Sequence, residues 1–301
     1  MKIVTSGSRY IDIDAYAGCI SYSYLLNLKG IQSKAVSTAK LNESITKKLL
    51  ELDIKLNKYK PTEDDEFIII DVSDKNFFDN IVKENKITEV IDHHTGFEDY
   101  WKQRLGNNSK IEFIGSVVTI IFELYEKENL QDKITKDIAY LMMSAILDNT
   151  LNFKAKVTNN RDIIAYQKLE KIIEDSENYA SKYFLQCQEI IERDLKKALE
   201  NDTKIGIVSK KLPNVFSQLA VWNKNNILDK KKLIFDTLNN FGNNWILNLI
   251  CLEEGKSYII ASNDLVLQDI KNLLNGNINQ YYLECEDVWL RKEIIKQSET
   301  N

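Results

Sequence analysis

Two short runs of β-branched residues, each ending on a carboxylate, constrain the fold of this chain more than any other feature. The run FIII leads into Asp71, and the run EVI leads into Asp92, His93 and His94. Apolar runs of this length are typical of buried strands in a parallel sheet, so the charged segment between them is predicted to be the crossover helix. Because ligands gather at the carboxyl ends of parallel strands, Asp71 and the histidine pair should face one crevice.

The histidines themselves indicate metal chemistry. The chain contains 2 histidines, and they are adjacent. Neutral imidazole is the commonest side-chain ligand for transition metals, so a chain that uses histidine only here is predicted to bind a metal here. The alternative, a strand end that carries two surface histidines, is left open by the motif alone.

Composition excludes several classes of protein. With 301 residues, of which 44% are hydrophobic, the chain is long enough to bury two cores. A formal net charge of -5, with basic residues mixed among the acidic ones, disfavours nucleic acid as a partner. The 4 cysteines are scattered without C-x-x-C pairs, and no signal segment or membrane-spanning run is visible. We therefore expect a cytoplasmic protein that does not bind membranes.

Further carboxylates stand at the ends of other predicted elements. Asp12 and Asp14 precede a helix predicted from about residue 15 to residue 28, and an extended Asp-x-Asp segment would point both side chains to the same side. Helix capping is the structural alternative for Asp14. Asp148 follows an apolar helix predicted over residues 135–147, where an isolated buried carboxylate would be costly.

Alternating strand and helix patterns predict an α/β fold. Between the motifs, a strand is predicted over residues 32–38, a helix over 42–52, a strand over 111–115 and a continuous helical stretch over 161–199. Later strands are predicted over residues 204–209, 245–252 and 256–261, with a strand or helix start at 233–238. We predict an N-terminal doubly wound, mainly parallel sheet domain (1–190), a linker (191–200) and a smaller C-terminal α+β domain (201–301), with the active site in the cleft between the domains.

The collected side chains suit a hard divalent cation. Carboxylates and imidazoles favour Mn²⁺ or Mg²⁺ over a thiolate-binding ion, and the candidate ligands are Asp12, Asp14, Asp71, His93 and Asp148. Two such ions that share a bridging carboxylate can clamp a phosphoryl group and make a bound water nucleophilic. The predicted reaction is hydrolysis of a phosphoester or phosphoanhydride.

The sequence resembles the DHH phosphoesterase superfamily, whose name-giving triplet begins here at Asp92. Four motifs carry the resemblance: the DID loop that begins at Asp12, then IIIDVSD, VIDHH and AILDNTLNFK. Within the superfamily the chain looks most similar to family II, manganese-dependent inorganic pyrophosphatases and to yeast-type exopolyphosphatases. The segment GSVVTIIFELYEKENL is similar to their Gly-x-x-x-Thr helix, and Arg291 with Lys292 is similar to their Ser-Arg-Lys-Lys signature.

The resemblance implies a role for each candidate in the first domain. One metal would be held by Asp14, Asp71, His93 and Asp148, and a second would be held by Asp12 together with Asp71 as the bridge. In the triplet, His94 would meet the substrate and Asp92 would orient the histidine pair, so that Asp71, Asp92 and His94 would carry catalysis.

In the second domain the resemblance implies a set of cations for the substrate. Arg291 and Lys292 would bind the distal phosphate, because a guanidinium matches phosphate oxygens bidentately. Lys196 stands where these enzymes carry an Asp-x-Lys motif and would do the same, although a solvated linker lysine explains it equally well.

Departures from the family pattern affect the expected metal and substrate. Family II pyrophosphatases carry a histidine at the position of Ser8, and Ile11, Ala15 and Glu293 also replace the usual proline, serine and lysine. Because a serine hydroxyl is a poor transition-metal ligand, one metal should bind more weakly or be replaced by Mg²⁺. The exopolyphosphatase-like members also lack that histidine, which favours short inorganic polyphosphate as the substrate.

We therefore expect a divalent-metal-dependent hydrolase of phosphoanhydride bonds in short inorganic polyphosphate or pyrophosphate, acting on a small anionic phosphate; a homodimer is left open. The first alternative is a phosphodiesterase for nucleotides or short oligonucleotides, although that branch carries a histidine in its second domain and none follows His94 here. The second alternative is a low-activity polyphosphate-binding protein. It would result if serine at position 8, in place of the family's histidine, leaves too few metal ligands for turnover.

Overall fold

The chain forms two compact units in the computed structural model, which describes residues 1–173, 176–207, 209 and 211–300. The first unit runs from Met1 to Ala180 and the second from Ser181 to the C-terminus. Each unit is built on its own sheet. The α/β fold class with a parallel N-terminal sheet domain and a C-terminal α+β domain is confirmed.

The first unit is organised around a five-stranded, fully parallel sheet with the order β2-β1-β3-β4-β5. Its strands are β1 (Lys2–Thr5), β2 (Ser33–Ala35), β3 (Glu66–Ile70), β4 (Ile87–Asp92) and β5 (Ser109–Ile111). The central strand β3 reads as a continuous apolar run because both faces of the sheet are covered, and Phe67 to Ile70 are 0–1% exposed.

Helices pack around this sheet. They are α1 (Ile13–Leu28), α2 (Lys47–Leu50), α3 (Glu98–Leu105), α4 (Val117–Lys127), α5 (Lys136–Asn149) and α6 (Asn160–Glu170). The next helix, α7 (Tyr179–Arg193), begins at the end of the first unit and lies mostly in the second. The helix predicted over residues 42–52 is reduced to α2, because Asn42 Oδ1 accepts hydrogen bonds from the backbone and hydroxyl of Ser44 and holds that segment in a turn. The stretch 161–199, predicted as continuously helical, is divided between α6, α7 and a later helix.

The predicted crossover helix between β3 and β4 is wrong. The chain there forms two single-turn 3₁₀-helices, Lys75–Phe77 and Glu84–Lys86. Buried Asp79 explains the difference, since its carboxylate accepts hydrogen bonds from Ser37 Oγ at 3.1 Å and from Thr38 N and Oγ1 at 2.7 and 2.6 Å. These bonds fix the segment to the chain that follows β2, which a regular helix could not do.

The second unit contains a six-stranded mixed sheet with the order β10-β11-β9-β8-β7-β6. The strands are β6 (Thr203–Ile205), β7 (Val215–Val221), β8 (Trp245–Cys251), β9 (Lys256–Ala261), β10 (Gly276–Asn279) and β11 (Tyr282–Cys285). The helices are α8 (Leu195–Asn201), α9 (Asn225–Leu228), α10 (Lys231–Leu238), α11 (Asp264–Leu273) and α12 (Arg291–Thr300). The sequence had indicated β8 and β9 but not β7, β10, β11 or α11.

The predicted linker is helical and contributes to the second core. Ile191, Leu195 and Leu199 pack with the apolar residues of β7 and β8. The domain bounds at residues 190 and 200 stay a prediction. Across the residues that the structure describes, none of the helices combines the length and the hydropathy needed to cross a membrane.

Helix α1 packs on the sheet at very short range. A Cβ added at Gly18 would lie 2.7 Å from Ile70 Cγ2 and 3.3 Å from Val117 Cγ1. Glycine therefore lets α1 approach the end of β3 closely, and this approach brings the N-terminus of α1 next to the residues that follow that strand.

We expect Gly18→Ala to lower the free energy of unfolding by about 1–2 kcal/mol, because the clash with Ile70 outweighs the gain of about 1 kcal/mol in helix propensity. Urea unfolding measures the change. In an Ile70→Ala background the same substitution should cost less, since the clashing methyl is gone. An unchanged or higher stability of Gly18→Ala in the native background would show that α1 does not approach β3 this closely.

Candidate metal centre

The candidate site is built from the carboxyl ends of β3 and β4. These strands pair in parallel, with Ile70 opposite Ile91, so the residues after each strand emerge side by side. Asp71 has a φ of 63° and its N–H donates to the Ile91 carbonyl at 2.9 Å. A left-handed conformation at a non-glycine residue costs about 1 kcal/mol, which this bond and the surrounding packing offset. The turn directs the Asp71 carboxylate toward the histidine pair.

Three predicted residues form a compact group of possible ligand atoms. Asp71, His93 and His94 each offer an atom within 4.8 Å of the others. Asp71 Oδ1 lies 3.2 Å from His93 Nε2 and 3.8 Å from His94 Nδ1. Asp14 joins from the N-terminal turn of α1, with its Oδ2 3.7 Å from His93 Nε2.

The tautomer of His93 is fixed by its backbone partner. His93 Nδ1 lies 3.0 Å from the Ile114 carbonyl, which can only accept, so Nδ1 carries the proton in the neutral ring. The lone pair of Nε2 then faces Asp71 and Asp14. Metal-binding histidines are commonly held in this way by a second hydrogen bond to a carbonyl.

Asp71 Oδ1 gives the clearest indication of a cation. It is buried, and among the described residues it has no hydrogen-bond partner. Facing it at 3.2 Å is Nε2 of His93, which is a second acceptor when the ring is neutral. Two acceptors at this separation match neighbouring ligands of an octahedral ion with bonds of about 2.1 Å, which lie about 3 Å apart. The residues present therefore fit a divalent cation.

Asp14 is held by groups from α4. Its carboxylate accepts hydrogen bonds from Ser116 Oγ at 2.6 Å and from the backbone N–H groups of Val117 and Val118 at 3.0 and 3.3 Å. The positive end of the α4 dipole favours its charge. Burial nevertheless raises the pKa of Asp14 to about 6, because desolvation outweighs these contacts and His93.

Burial and neighbouring charge also raise the pKa of Asp71 well above its usual value. Desolvation is the largest cause, followed by the charges of Asp12 and Asp14. Carboxylates whose ionisation is suppressed in this way regain it when a cation supplies the missing charge.

Asp92 organises the triplet. Its Oδ1 accepts from His93 N at 2.7 Å, from His94 N at 3.1 Å and from His94 Nδ1 at 2.8 Å. Burial alone would raise the pKa of Asp92, but the bond and the charge of His94 hold it below its usual value. Desolvation acts to lower the pKa of His94, and its bond to Asp92 raises it overall. With Nδ1–H donated to Asp92, Nε2 of the 61% exposed His94 side chain remains for a ligand.

The structure places Asp12 and Asp148 differently from the central group. Asp12 caps α1, with Oδ1 accepting from Ala15 N at 3.0 Å, so the predicted extended Asp-x-Asp segment and the capping alternative for Asp14 are both wrong. Asp14 instead lies in the first turn of the helix. Asp148 is the penultimate residue of α5 and is partly exposed. Neither belongs to the compact group, and their ligand roles stay predictions.

Ser8 is engaged elsewhere. Its N–H and its hydroxyl both donate to the Phe77 carbonyl, at 2.8 and 3.3 Å. The hydroxyl therefore closes the loop after β1 onto the first 3₁₀-helix.

The sequence reasoning missed the residues that support Asp14. Ser116 and the first amides of α4 bind it directly, and buried Asp162 holds the turn before α4 by accepting from Gly115 N at 3.1 Å and from Thr119 Oγ1 at 2.6 Å. A Cβ at Gly115 would lie 2.5 Å from Asp162 Oδ2, which explains the glycine. The serine at the start of an apolar helix was the available signal, since serine is a preferred N-cap.

The predicted substrate-binding cations lie in the second unit. Lys196 is in α8, 59% exposed and 3.8 Å from Glu200. Lys292 is exposed in the first turn of α12, where partial desolvation lowers the pKa of its ammonium. Arg291 begins α12 and is 11% exposed. These roles also stay predictions.

Comparison with known proteins defines the class. Residues 2–146 match the model of the DHH family, N-terminal domain. The structure aligns with that of a Methanococcus jannaschii protein described as a family II inorganic pyrophosphatase, with a TM-score of 0.68 and 19% identity over 99% of this chain and 100% of that one. An exopolyphosphatase-related protein from Bacteroides fragilis aligns with a TM-score of 0.54 and 15% identity over 99% and 90%. These alignments establish a shared fold, and residues 2–146 resemble the DHH family.

Sequence relatives narrow the class. The manganese-dependent inorganic pyrophosphatase of Methanocaldococcus jannaschii is 26% identical over 90% of this chain and 91% of its own length. A Lactobacillus delbrueckii protein described as a manganese-dependent inorganic pyrophosphatase is 29% identical over 57% of this chain, and that match spans 55% of the relative. The resemblance to the DHH superfamily and its manganese-dependent pyrophosphatase branch is confirmed.

The raised pKa of Asp14 predicts how stability depends on pH without metal. The unfolded carboxyl ionises near 3.8 and the folded one near 6, so between these values the folded state binds more protons. The free energy of unfolding should therefore fall by about 2 kcal/mol from this group as pH rises from 4 to 7. Denaturant unfolding in EDTA across this range should show the fall, and Asp14→Asn should reduce it, leaving the part that comes from the raised pKa of Asp71.

Manganese should reverse the loss. Because the ion binds the ionised folded state, 1 mM Mn²⁺ is expected to raise the unfolding midpoint more at pH 7.5 than at pH 5. An equal effect at both pH values, or the same fall in stability in Asp14→Asn, would contradict this account of the site.

Proposed function

We propose that the chain is a divalent-metal-dependent hydrolase of phosphoanhydride bonds in pyrophosphate or short inorganic polyphosphate. The observation that carries the proposal is the buried Asp71 Oδ1, which has no hydrogen-bond partner among the described residues and lies 3.2 Å from Nε2 of His93, an acceptor in the neutral ring. The DHH-family match over residues 2–146 and the names of the relatives support the same reaction class.

The ligand set follows from the donor atoms. We propose that Asp14, Asp71, His93 and Asp148 hold one cation and that Asp12 and Asp71 hold a second, with Asp71 as the bridge. Bound divalent ions would lower the pKa of water and neutralise charge that develops on phosphoryl oxygens. Asp71 suits the bridging role because burial and the charges of Asp12 and Asp14 disfavour its ionisation more than the charge of His94 favours it.

In the triplet, Asp92 is proposed to position His94, and His94 is proposed to donate a proton to the substrate. Asp92 fixes the ring of His94 through Nδ1, which leaves Nε2 directed away from the carboxylate. Because its bond to Asp92 raises the pKa of the ring and favours the protonated form, His94 is proposed to present Nε2–H to a phosphate oxygen. Arg291, Lys292 and Lys196 are proposed to bind the distal phosphate.

Manganese is proposed as the main cofactor, with Mg²⁺ at the position that Ser8 leaves without a nitrogen ligand. The names of the relatives support manganese, and the use of Ser8 in a bond to Phe77 supports an oxygen-rich second position. We also propose the cytoplasm as the location, which the free state of the four buried cysteines supports. A homodimer stays a prediction.

Asp71→Asn is expected to lower kcat at least about 100-fold, because it removes the charge that both ions share. The measurement is phosphate release from pyrophosphate, tripolyphosphate and longer polyphosphate, together with chromatographic detection of linear products from cyclic dinucleotides, each with Mn²⁺ and with Mg²⁺. Asp99→Asn, at an exposed carboxylate of α3, is the matched control and should retain full activity.

The substrate panel discriminates between functions. Preference for tripolyphosphate would support an exopolyphosphatase and preference for pyrophosphate a pyrophosphatase. Conversion of cyclic dinucleotides to linear products, without phosphate release from the inorganic substrates, would establish the phosphodiesterase. No release from any substrate, with retained polyphosphate binding, would replace the hydrolase with a binding protein.

Ser8→His should increase the affinity for Mn²⁺ about tenfold, because an imidazole replaces a hydroxyl beside the carboxylates. Titration of metal-free protein with Mn²⁺, followed by activity, measures the affinity. Ser8→Ala removes the bond to Phe77 without adding a ligand and serves as the control. Equal affinities in Ser8→His and Ser8→Ala would show that residue 8 does not reach the ion.

A further inference from the structure

The guanidinium of Arg291 is held along one edge by the second unit. Nη1 donates to the carbonyls of Asp202 and Phe216 at 2.7 and 3.0 Å, and Nη2 donates to Asp202 Oδ1 at 2.7 Å. The Phe216 ring lies under the guanidinium, with 5.9 Å between Cζ and the ring centroid. Because both protons of Nη1 are used, the orientation of the planar group is determined.

The opposite edge retains its donors. Within the part of the chain that the structure describes, the Nε–H and the second Nη2–H of Arg291 have no acceptor. These two N–H groups point the same way and form the fork that binds two oxygens of one phosphate. The side chain is 11% exposed, so water competes weakly for such an anion.

The backbone of Arg291 is fixed as firmly as its side chain. Arg291 N donates to Gln218 Oε1 at 2.6 Å, and Asn248 Nδ2 donates to Gln218 Oε1 and to the Trp289 carbonyl at 3.3 and 2.6 Å. Ser257 Oγ accepts from Trp289 N at 2.9 Å. Polar side chains of β7, β8 and β9 are thus placed in an otherwise apolar sheet face to hold the segment that leads into α12.

We propose that Asp202 is a positioning residue that presents the Nε–Nη2 edge of Arg291 to a terminal phosphate of the substrate. The inference rests on the proposed function and adds to it the residue through which Arg291 acts. Asp202 orders the guanidinium before the anion arrives, so less conformational freedom is lost on binding. The Asp202 carboxylate binds the guanidinium on the side of Nη1, and the phosphate would bind the Nε–Nη2 edge. The carboxylate and the phosphate therefore do not compete for the same N–H groups.

Binding of imidodiphosphate, a pyrophosphate analogue whose P–N–P bridge resists hydrolysis, tests the proposal without turnover. Calorimetric titration with Mn²⁺ present compares the native protein with Asp202→Ala, Asp202→Asn, Arg291→Ala and the double variant Asp202→Ala/Arg291→Ala. Asp269→Ala, at an exposed carboxylate of α11, is the matched control. Thermal melts establish that each variant is folded.

Asp202→Ala should weaken binding about tenfold, and Asp202→Asn, which keeps an acceptor oxygen, should weaken it less. In the Arg291→Ala background the Asp202 substitution should have no further effect, because Asp202 acts through Arg291. For substrate turnover, KM should rise by a similar factor while kcat changes little. If Asp202→Ala does not fold, the same comparisons are made with Asp202→Asn.

Three results would overturn the proposal: unchanged or tighter binding in Asp202→Ala, an equal loss with and without Arg291, or no binding of imidodiphosphate by the native protein. Tighter binding would identify Asp202 as a competitor for the guanidinium. Failure of the native protein to release phosphate from pyrophosphate or tripolyphosphate would reject the hydrolase separately, since the binding results stand without turnover.

Discussion

The concentration of carboxylates around Asp71 is the constraint on which the rest of the first unit depends. Burial raises the pKa of both Asp14 and Asp71, so the fold brings together acids that disfavour each other's ionisation. Such an arrangement is stable only if other contacts hold the backbone in place. The all-parallel sheet, the close packing of α1 at Gly18 and the α4 N-terminus provide those contacts. The binding energy of a cation then acts on a site whose geometry exists beforehand.

The sequence predicted the parts of this site that depend on local pattern. Asp71 and His93 follow short apolar strands, and parallel pairing brings strand ends together without further information. Asp14 could be predicted as a candidate, but its environment could not. Its partners Ser116 and Val117 lie more than 100 residues away along the chain, and only the packing of α1 beside α4 brings them into contact.

The wrong predictions also come from contacts between residues that are distant in the sequence. The chain between β3 and β4 carries a helical pattern, yet the hydrogen bonds of Asp79 to Thr38 hold it in an irregular path. In the second unit, β7 alternates only weakly, and Gln218 and Ser217 interrupt its apolar character. Gln218 binds the backbone of Arg291, which explains why this position is polar. The residue that weakens the strand pattern of β7 is therefore one that the unit needs for a contact with a distant part of the chain.

Ser8 makes a structural contact at the position where family II pyrophosphatases carry a metal-binding histidine. Its backbone and hydroxyl donors both reach the Phe77 carbonyl, so the loop after β1 is closed by the segment that replaces the crossover helix. An imidazole there could ligate a cation but would give up the hydroxyl bond. With serine in place, the second cation of the proposed site would have oxygen ligands, which favour hard cations. In the proposed site, the nitrogen of His93 would favour manganese at the other position, so the two positions beside Asp71 would select ions by different chemistry.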